Sequence, residues 1–222
     1  MCSVFAGLGN ITLTNVGFNG NIGPVGSGAT EEGRSWVKIQ GKEGSVYRIK
    51  PSGGQSKNYI GEVSLSGSGT VEFHDCDIGG PITLSGDVTV SFIRCILQSE
   101  VNASGHSSGK LTFSGTTIPS LRVGGDHEIV ITDDSTLEVN VTAETDFTGQ
   151  FTMTDSKFLP GTAPDLNFVK KGLTSFVVRN NSGNIGKVLL RGTILTTFTL
   201  QNSGSIGEID LRRSTIRTSD PR

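Results

Sequence analysis

Two short segments decide the fold: VEFHDCDI at residues 71–78 and VSFIRCIL at residues 90–97. In both, apolar residues first alternate with other residues. A small or polar residue and a cysteine follow, and after one further residue the segment ends in an apolar residue. Alternation with a period of two is typical of a short β-strand with one buried face. The pattern returns as LTFSGTTI (111–118), FTMTDSKF (151–158), VLLRGTIL (188–195) and IDLRRSTI (209–216), with looser copies at 11–18 and 129–137.

The copies recur about every 20 residues. Those that start at 71, 90, 111, 129 and 151 are separated by 19, 21, 18 and 22 residues. A second repeat, NSGNIGKVLLR (181–191), matches NSGSIGEIDLR (202–212) at 7 of 11 positions. A propeller blade needs roughly 40 residues, whereas one coil of a parallel β-solenoid needs about half as many.

We therefore predict an all-β fold, a single-stranded right-handed parallel β-helix (β-solenoid) of about ten coils of ~18–22 residues. The right-handed form is favoured because a left-handed hexapeptide helix needs strict coils of about 18 residues. An antiparallel sandwich or barrel of short strands is the alternative. Residues 1–59 are predicted to form N-terminal coils with an irregular cap or insertion segment, and residues 60–222 the regular coils.

The shared register predicts which side chains stack on neighbouring coils. Phe73, Phe92 and Phe113 should form an interior aromatic stack. One corner position is occupied by small residues, namely Cys76, Cys95, Thr116, Ser156, Thr193 and Ser214. Cys76 and Cys95 are therefore predicted one coil apart, either as buried free thiols or as a disulfide.

Composition excludes several classes of protein. The chain has 31 glycines in 222 residues and only 18% charged residues, unlike a helical bundle or coiled coil. No apolar run approaches the roughly 20 residues that span a bilayer, so no membrane insertion is expected. A net charge of −2 without a basic stripe argues against nucleic acid as a partner. The start of the sequence lacks the features of a secretory signal peptide.

Over roughly residues 60–216, on period and pattern, the chain resembles the right-handed parallel β-helix group of pectate lyases, polygalacturonases and phage tailspikes. Enzymes of this group use clustered carboxylates, so the resemblance implies catalytic candidates if the protein is an enzyme: Asp75, Asp77, Asp133 and Asp134. Asp75 and Asp77 are also weak candidates for a Ca²⁺ site. No other metal and no cofactor is predicted.

We favour a structural role for these four aspartates, because aspartate shapes tight turns through hydrogen bonds to its own backbone. Nucleophile, phosphate-loop and zinc motifs are missing from the sequence. The question of catalysis is left open, with the balance toward a protein that is not an enzyme.

The segment 31–59 departs most from the repeat and holds the only tryptophan and both tyrosines. Trp36, Tyr47, Arg48 and Tyr59 are the predicted binding residues. Tryptophan and tyrosine carry an apolar face and a polar group, which suits sugar stacking or a protein interface.

These observations predict a non-enzymatic structural or binding β-helix, a virion component of tail or fibre type or a cell-surface component, that contacts glycan or a partner protein. A carbohydrate-active lyase or hydrolase of the pectate-lyase-like group is the first alternative. A cytoplasmic, bactofilin-like cytoskeletal filament is the second. A homo-oligomer or larger assembly is expected because both ends of a solenoid are unpaired strand edges. A trimer is favoured, since trimers are common among the tailspikes that the chain resembles.

Overall fold

The computed structural model describes residues 2–4, 9–169 and 171–217, with the side chains of all but Cys2–Val4. These described residues form 25 strands and one short 3₁₀ helix, Glu31–Gly33. The strands are β1 (Cys2–Val4), β2 (Ile11–Thr14), β3 (Asn19–Ile22), β4 (Ser35–Gly41), β5 (Val46–Ile49), β6 (Asn58–His74), β7 (Cys76–Ile78), β8 (Ile82–Ile93), β9 (Ile96–Leu97), β10 (Val101–His106), β11 (Ser108–Ser114), β12 (Thr117–Ile118), β13 (Leu121–Val123), β14 (Asp126–Thr132), β15 (Thr136–Leu137), β16 (Asn140–Ala143), β17 (Thr148–Thr154), β18 (Lys157–Phe158), β19 (Asp165–Asn167), β20 (Gly172–Asn181), β21 (Ile185–Leu189), β22 (Ile194–Leu195), β23 (Thr197–Asn202), β24 (Ile206–Asp210) and β25 (Thr215–Ile216).

The strands form a parallel β-solenoid of about nine turns with three faces. The first face stacks β2, β4, the middle of β6, the start of β8, β10, β13, β16, β19, β21 and β24. The second face stacks β1, β3, β5, the ends of β6 and β8, β11, β14, β17, β20 and β23. The third face stacks the start of β6, β7, β9, β12, β15 and β18. The all-β parallel architecture is thus confirmed, and its handedness stays a prediction.

The repeat pattern occupies two different faces. The copies that begin at 71, 90, 111, 129 and 151 start in register on the second face. The copies that begin at 11, 188 and 209 start on the first face. The prediction of one common register was therefore wrong for these three, because a half-buried strand has the same alternation on every face.

The predicted aromatic stack is confirmed inside the second face. The ring centroids of Phe73 and Phe92 are 5.2 Å apart, and those of Phe92 and Phe113 are 5.4 Å apart. All three rings are fully buried. Phe151 and Phe176 form a second stack farther along the same face, at 5.6 Å.

A ladder of small polar side chains lines the corner between the second and third faces. The hydroxyl of Thr116 accepts a hydrogen bond from the Cys95 amide at 3.2 Å, and the hydroxyl of Ser135 accepts one from the Thr116 amide at 3.1 Å. Asn181 extends the ladder, since its Oδ1 accepts from the Ser156 amide at 3.0 Å. These bonds run between coils and satisfy buried backbone groups at the bend.

The predicted corner register holds for the cysteines but not for Thr193 and Ser214. Cys76 and Cys95 lie on adjacent coils as predicted, and both are free thiols. Burial raises the pKa of the Cys76 thiol well above its usual value, so this thiol is unreactive at neutral pH. Thr193 and Ser214 instead form their own pair at a corner that follows the first face, where the Thr193 amide donates to Ser214 Oγ at 3.4 Å.

A pair of buried histidines occupies the bend between the first and second faces. His106 and His127 are each 1% exposed and come from adjacent coils. Nε2 of His127 and Nδ1 of His106 share a hydrogen bond. Burial lowers the pKa of both imidazoles. The neighbouring His127 lowers the pKa of His106 further, to about 4. Both rings are therefore neutral at physiological pH.

The aromatic segment 31–59 joins the same ladders as the rest of the solenoid. It contributes β4 to the first face and β5 to the second, and it leaves irregular backbone mainly at 50–57. Among the described residues, no helix is long and apolar enough to cross a membrane.

Candidate functional site

The four predicted binding residues do not meet at one site. Trp36 lies on the first face, opposite Glu62 of the next coil. Arg48 lies on the second face and Tyr59 on the third. Residues close in sequence are separated here because each coil carries the chain around the whole cross-section.

Tyr47 is a core residue, which corrects its assignment as a binding residue. Its side chain is fully buried and packs on Phe18, with ring centroids 5.9 Å apart. The hydroxyl donates to the carbonyl of Val16 at 2.5 Å and accepts from the amide of Lys42 at 3.2 Å. A ring enclosed in this way has no face on which a sugar can stack. The residue type alone does not predict this burial, because tyrosine suits both a core and a binding surface.

Arg48 takes part in a closed surface network rather than an open site. Its Nε lies 3.3 Å from Oε2 of Glu72, and its Nη1 donates to Oδ1 of Asn19 at 3.0 Å. The same Glu72 oxygen lies 3.1 Å from Nε2 of His74. The Arg48 guanidinium is thus held by side chains of its own face. Tyr59, the remaining predicted binding residue, lies half-buried on the third face.

Three of the four candidate catalytic aspartates shape coil corners. Asp75, Asp133 and Asp134 have φ values of 53°, 55° and 62°, in the left-handed region that tight corners require. Arg94 binds both oxygens of Asp75 at 2.7 Å, and this hydrogen bonding lowers the pKa of the carboxyl. A general acid needs a raised pKa, so Asp75 is unsuited to that role.

The aspartates also do not converge on one reaction centre. Asp77 lies in β7 and is bound by Arg34, whereas Asp133 and Asp134 follow three coils farther along the solenoid. At roughly 4.8 Å per coil, the two groups are about 14 Å apart. Paired carboxylates of glycoside hydrolases lie roughly 5–9.5 Å apart. No group of three or more His, Cys, Asp or Glu side chains that could hold a metal ion occurs among the described residues.

The best candidate site is an open groove of about 500 Å³ beside Trp36. We call it the Trp36 groove. It is lined by residues from four successive coils: Ala29, Glu31, Arg34, Ser35, Trp36, Gly61, Glu62, Gly79, Gly80, Pro81 and Gln98. Trp36 is 43% exposed, which is unusual for so large an apolar residue.

Arg34 fixes one wall of the Trp36 groove. Its Nη1 donates to the carbonyls of Ile60 at 3.2 Å and Asp77 at 2.8 Å, and its Nη2 donates to Oδ1 of Asp77 at 2.9 Å. Nε donates to the carbonyl of Ala29 at 3.1 Å. With only 10% of its side chain exposed, the guanidinium holds the loop before β4 against the next two coils.

Two glycines keep the floor of the Trp36 groove flat. A Cβ on Gly79 would lie 2.7 Å from the central carbon of the Arg34 guanidinium, and a Cβ on Gly80 would overlap the carbonyl of Gly61. The bare backbone therefore lets Arg34 lie across the floor and lets adjacent coils approach closely. The resulting floor presents polar backbone next to an exposed aromatic ring.

The rim of the Trp36 groove is weakly acidic, because its cations are paired with carboxylates and one further carboxylate is left over. Lys38 lies 3.3 Å from a carboxylate oxygen of Glu62 and 5.5 Å from the centroid of the Trp36 ring. Arg34 is paired with Asp77, and Glu31 is exposed at the rim. An aromatic platform with carboxylate and amide groups nearby can stack on one face of a sugar and accept hydrogen bonds from its hydroxyls.

Sequence reasoning found Trp36 but missed the rest of its site. Arg34, the adjacent Gly79 and Gly80, and Gln98 come from three different coils and meet only through stacking. An alignment of coils that paired Trp36 with Glu62 would have placed the GGP sequence at 79–81 next to them.

No protein-family model, no curated protein and no solved structure matches this chain. The parallel β-solenoid itself is the part of the expected resemblance that the structure establishes. A function has to be inferred from the chemistry of the chain's own residues.

Proposed function

We propose that the protein is a non-catalytic binding solenoid that holds a neutral saccharide in the Trp36 groove. The observation that carries the proposal is Trp36, a residue 43% exposed, beside a flat backbone floor. A volume of about 500 Å³ falls within the usual range of small-molecule sites. The groove has room for a short oligosaccharide.

The charge of the rim favours a neutral sugar over an acidic one. Arg34 is already bound to Asp77, and Lys38 to Glu62. With Glu31 also at the rim, a uronate or sulfate would meet carboxylates without a free cation. Hydroxyl groups, by contrast, gain acceptors from the same carboxylates.

Replacing Trp36 with alanine should weaken saccharide binding by about tenfold or more, because loss of ring contact worth about 1.4 kcal/mol changes affinity tenfold. A neutral-glycan array identifies the ligand, and calorimetry then compares wild-type protein with Trp36→Ala. Tyr59→Ala is the matched control, since Tyr59 lies on the third face. Equal binding by Trp36→Ala and wild-type protein would remove the groove as the site, provided both unfold at the same denaturant concentration.

We also propose that the solenoid works at a virion or cell surface as a homo-oligomer, with a trimer favoured. Exposed apolar side chains on the described surface support assembly, among them Ile96 and Val139 beside the third face. Light scattering combined with small-angle X-ray scattering tests this. An elongated trimer would support the proposal, open filaments would favour the bactofilin-like alternative, and a compact monomer would return attention to polysaccharide cleavage.

A further inference from the structure

The 21-residue repeat near the end of the described chain stacks two similar turns. Residues 190–193 and 211–214 each form a turn, closed by hydrogen bonds from Thr193 to Leu190 at 3.2 Å and from Ser214 to Leu211 at 3.0 Å. The Gly192 amide donates to the carbonyl of Arg212 at 3.1 Å, which joins the turns on adjacent coils. Arg191 therefore stacks with Arg212, and Gly192 with Arg213.

One carboxylate, that of Asp210, contacts two of the three arginines of these turns. Asp210, with only 6% of its side chain exposed, accepts from Nε and Nη2 of Arg212 at 2.9 and 2.8 Å. Its Oδ2 lies 4.0 Å from Nε of Arg191. Within the described part of the chain, Arg213 makes no side-chain hydrogen bond or ion pair. The cluster thus carries two positive charges in excess.

The backbone of Arg213 has the conformation of a glycine in the preceding turn. Its φ of 60° lies in the left-handed region, where the equivalent residue of the preceding turn is Gly192 with φ of 76°. Glycine adopts this conformation freely, whereas a side chain with a Cβ makes it unfavourable. The second turn therefore carries a third guanidinium where the first turn has glycine.

A concavity of about 330 Å³ is lined by Arg191, Gly192, Arg212 and Arg213. Guanidinium groups bind oxyanions through paired, charge-assisted hydrogen bonds. Cations that approach from several sides suit the several oxygens of a tetrahedral group, whereas a carboxylate is satisfied by one arginine. The concavity is larger than a free tetrahedral ion needs, which leaves room for the molecule that carries the group.

We propose that these stacked turns form a binding site for a tetrahedral oxyanion ester, a sulfate or phosphate group on a larger molecule. Asp210 holds Arg212 in place and limits its repulsion with Arg191. Arg213 supplies a cation that no carboxylate of the described residues neutralises. The site is separate from the Trp36 groove, so either one can be disproved without the other.

Arg213→Gly tests the site without risk to the fold, because glycine is the residue of the equivalent turn. Calorimetry measures binding of four probes: a sulfated tetrasaccharide, its desulfated form, its phosphorylated form and inorganic sulfate. We expect the sulfated or phosphorylated form to bind at least tenfold more tightly than the desulfated form, with affinity that falls as salt rises. Arg213→Gly should lose about tenfold in affinity and unfold at an equal or higher denaturant concentration. Arg179→Gln, on the second face, is the control and should bind as wild type.

The probes also identify the source of the oxyanion. Tighter binding of the phosphorylated form would support the site and assign it to phosphate esters, and tighter binding of the sulfated form would assign it to sulfate esters. Inorganic sulfate that binds as tightly as either ester would overturn the ester part of the proposal. Equal binding of the sulfated, phosphorylated and desulfated forms, or unchanged affinity in Arg213→Gly, would overturn the site.

Discussion

Phe92→Ala is expected to lower the free energy of unfolding by about 4 kcal/mol. Phe92 lies between Phe73 and Phe113, with ring centroids 5.2 and 5.4 Å away. Truncation removes apolar contact and leaves a cavity between two coils. The neighbouring coils are held at a fixed spacing by their backbone hydrogen bonds, so the cavity cannot close. Denaturant unfolding, followed by circular dichroism, measures the loss.

Phe198, at a less buried position of the second face, provides the control. Phe198 stacks on Phe176 at 6.0 Å but is only partly buried. Phe198→Ala should therefore lose less than half as much stability as Phe92→Ala. Similar losses in both variants would contradict the role of the stack and indicate that any phenylalanine of the second face contributes equally.

Acidification from pH 7 to pH 4 should destabilise the protein by about 3 kcal/mol through His106 alone. Burial and the neighbouring His127 lower the pKa of His106 to about 4, whereas an unfolded histidine titrates near 6.5. Between these values the unfolded chain binds more protons than the folded one. Stability is therefore complete above about pH 6.5, falls as the pH drops through this window, and levels off below about pH 4 for this group.

The pH dependence can be assigned with a double variant. His106→Leu/His127→Leu replaces both buried rings with apolar side chains, so its stability should vary much less between pH 6.5 and 4. His127 has a pKa shifted in the same direction by burial, and it contributes to the same window. His74→Asn is the control outside the pair and should keep most of the pH dependence. A double variant with the wild-type slope would show that other groups cause it.

The acid effect of the histidines is separable from that of the carboxylates. Arg94 lowers the pKa of Asp75, and Arg212 lowers that of Asp210. Groups of this kind lose their stabilising charge only below the ordinary pKa of an aspartate, about 3.9. Measurements above pH 4.5 therefore report mainly on the buried imidazoles.

The sequence by itself determined the all-β solenoid, the coil length and the phenylalanine stack. Those features depend on alternation and period, which are local properties of the chain that stacking repeats on every coil. The same reasoning placed Asp75, Asp133 and Asp134 at coil corners, because a left-handed backbone conformation favours a few residue types.

Only the tertiary structure decided which face each segment occupies. Period-two alternation marks a strand with one buried side but is the same for all faces, so the copies at 11, 188 and 209 could not be told from those of the second face. The tertiary structure likewise decided three other features: the burial of Tyr47, the contact of His106 with His127 and the assembly of the Trp36 groove. Each feature depends on the register between neighbouring coils. Because the coils differ in length, this register cannot be read from any one segment of the sequence.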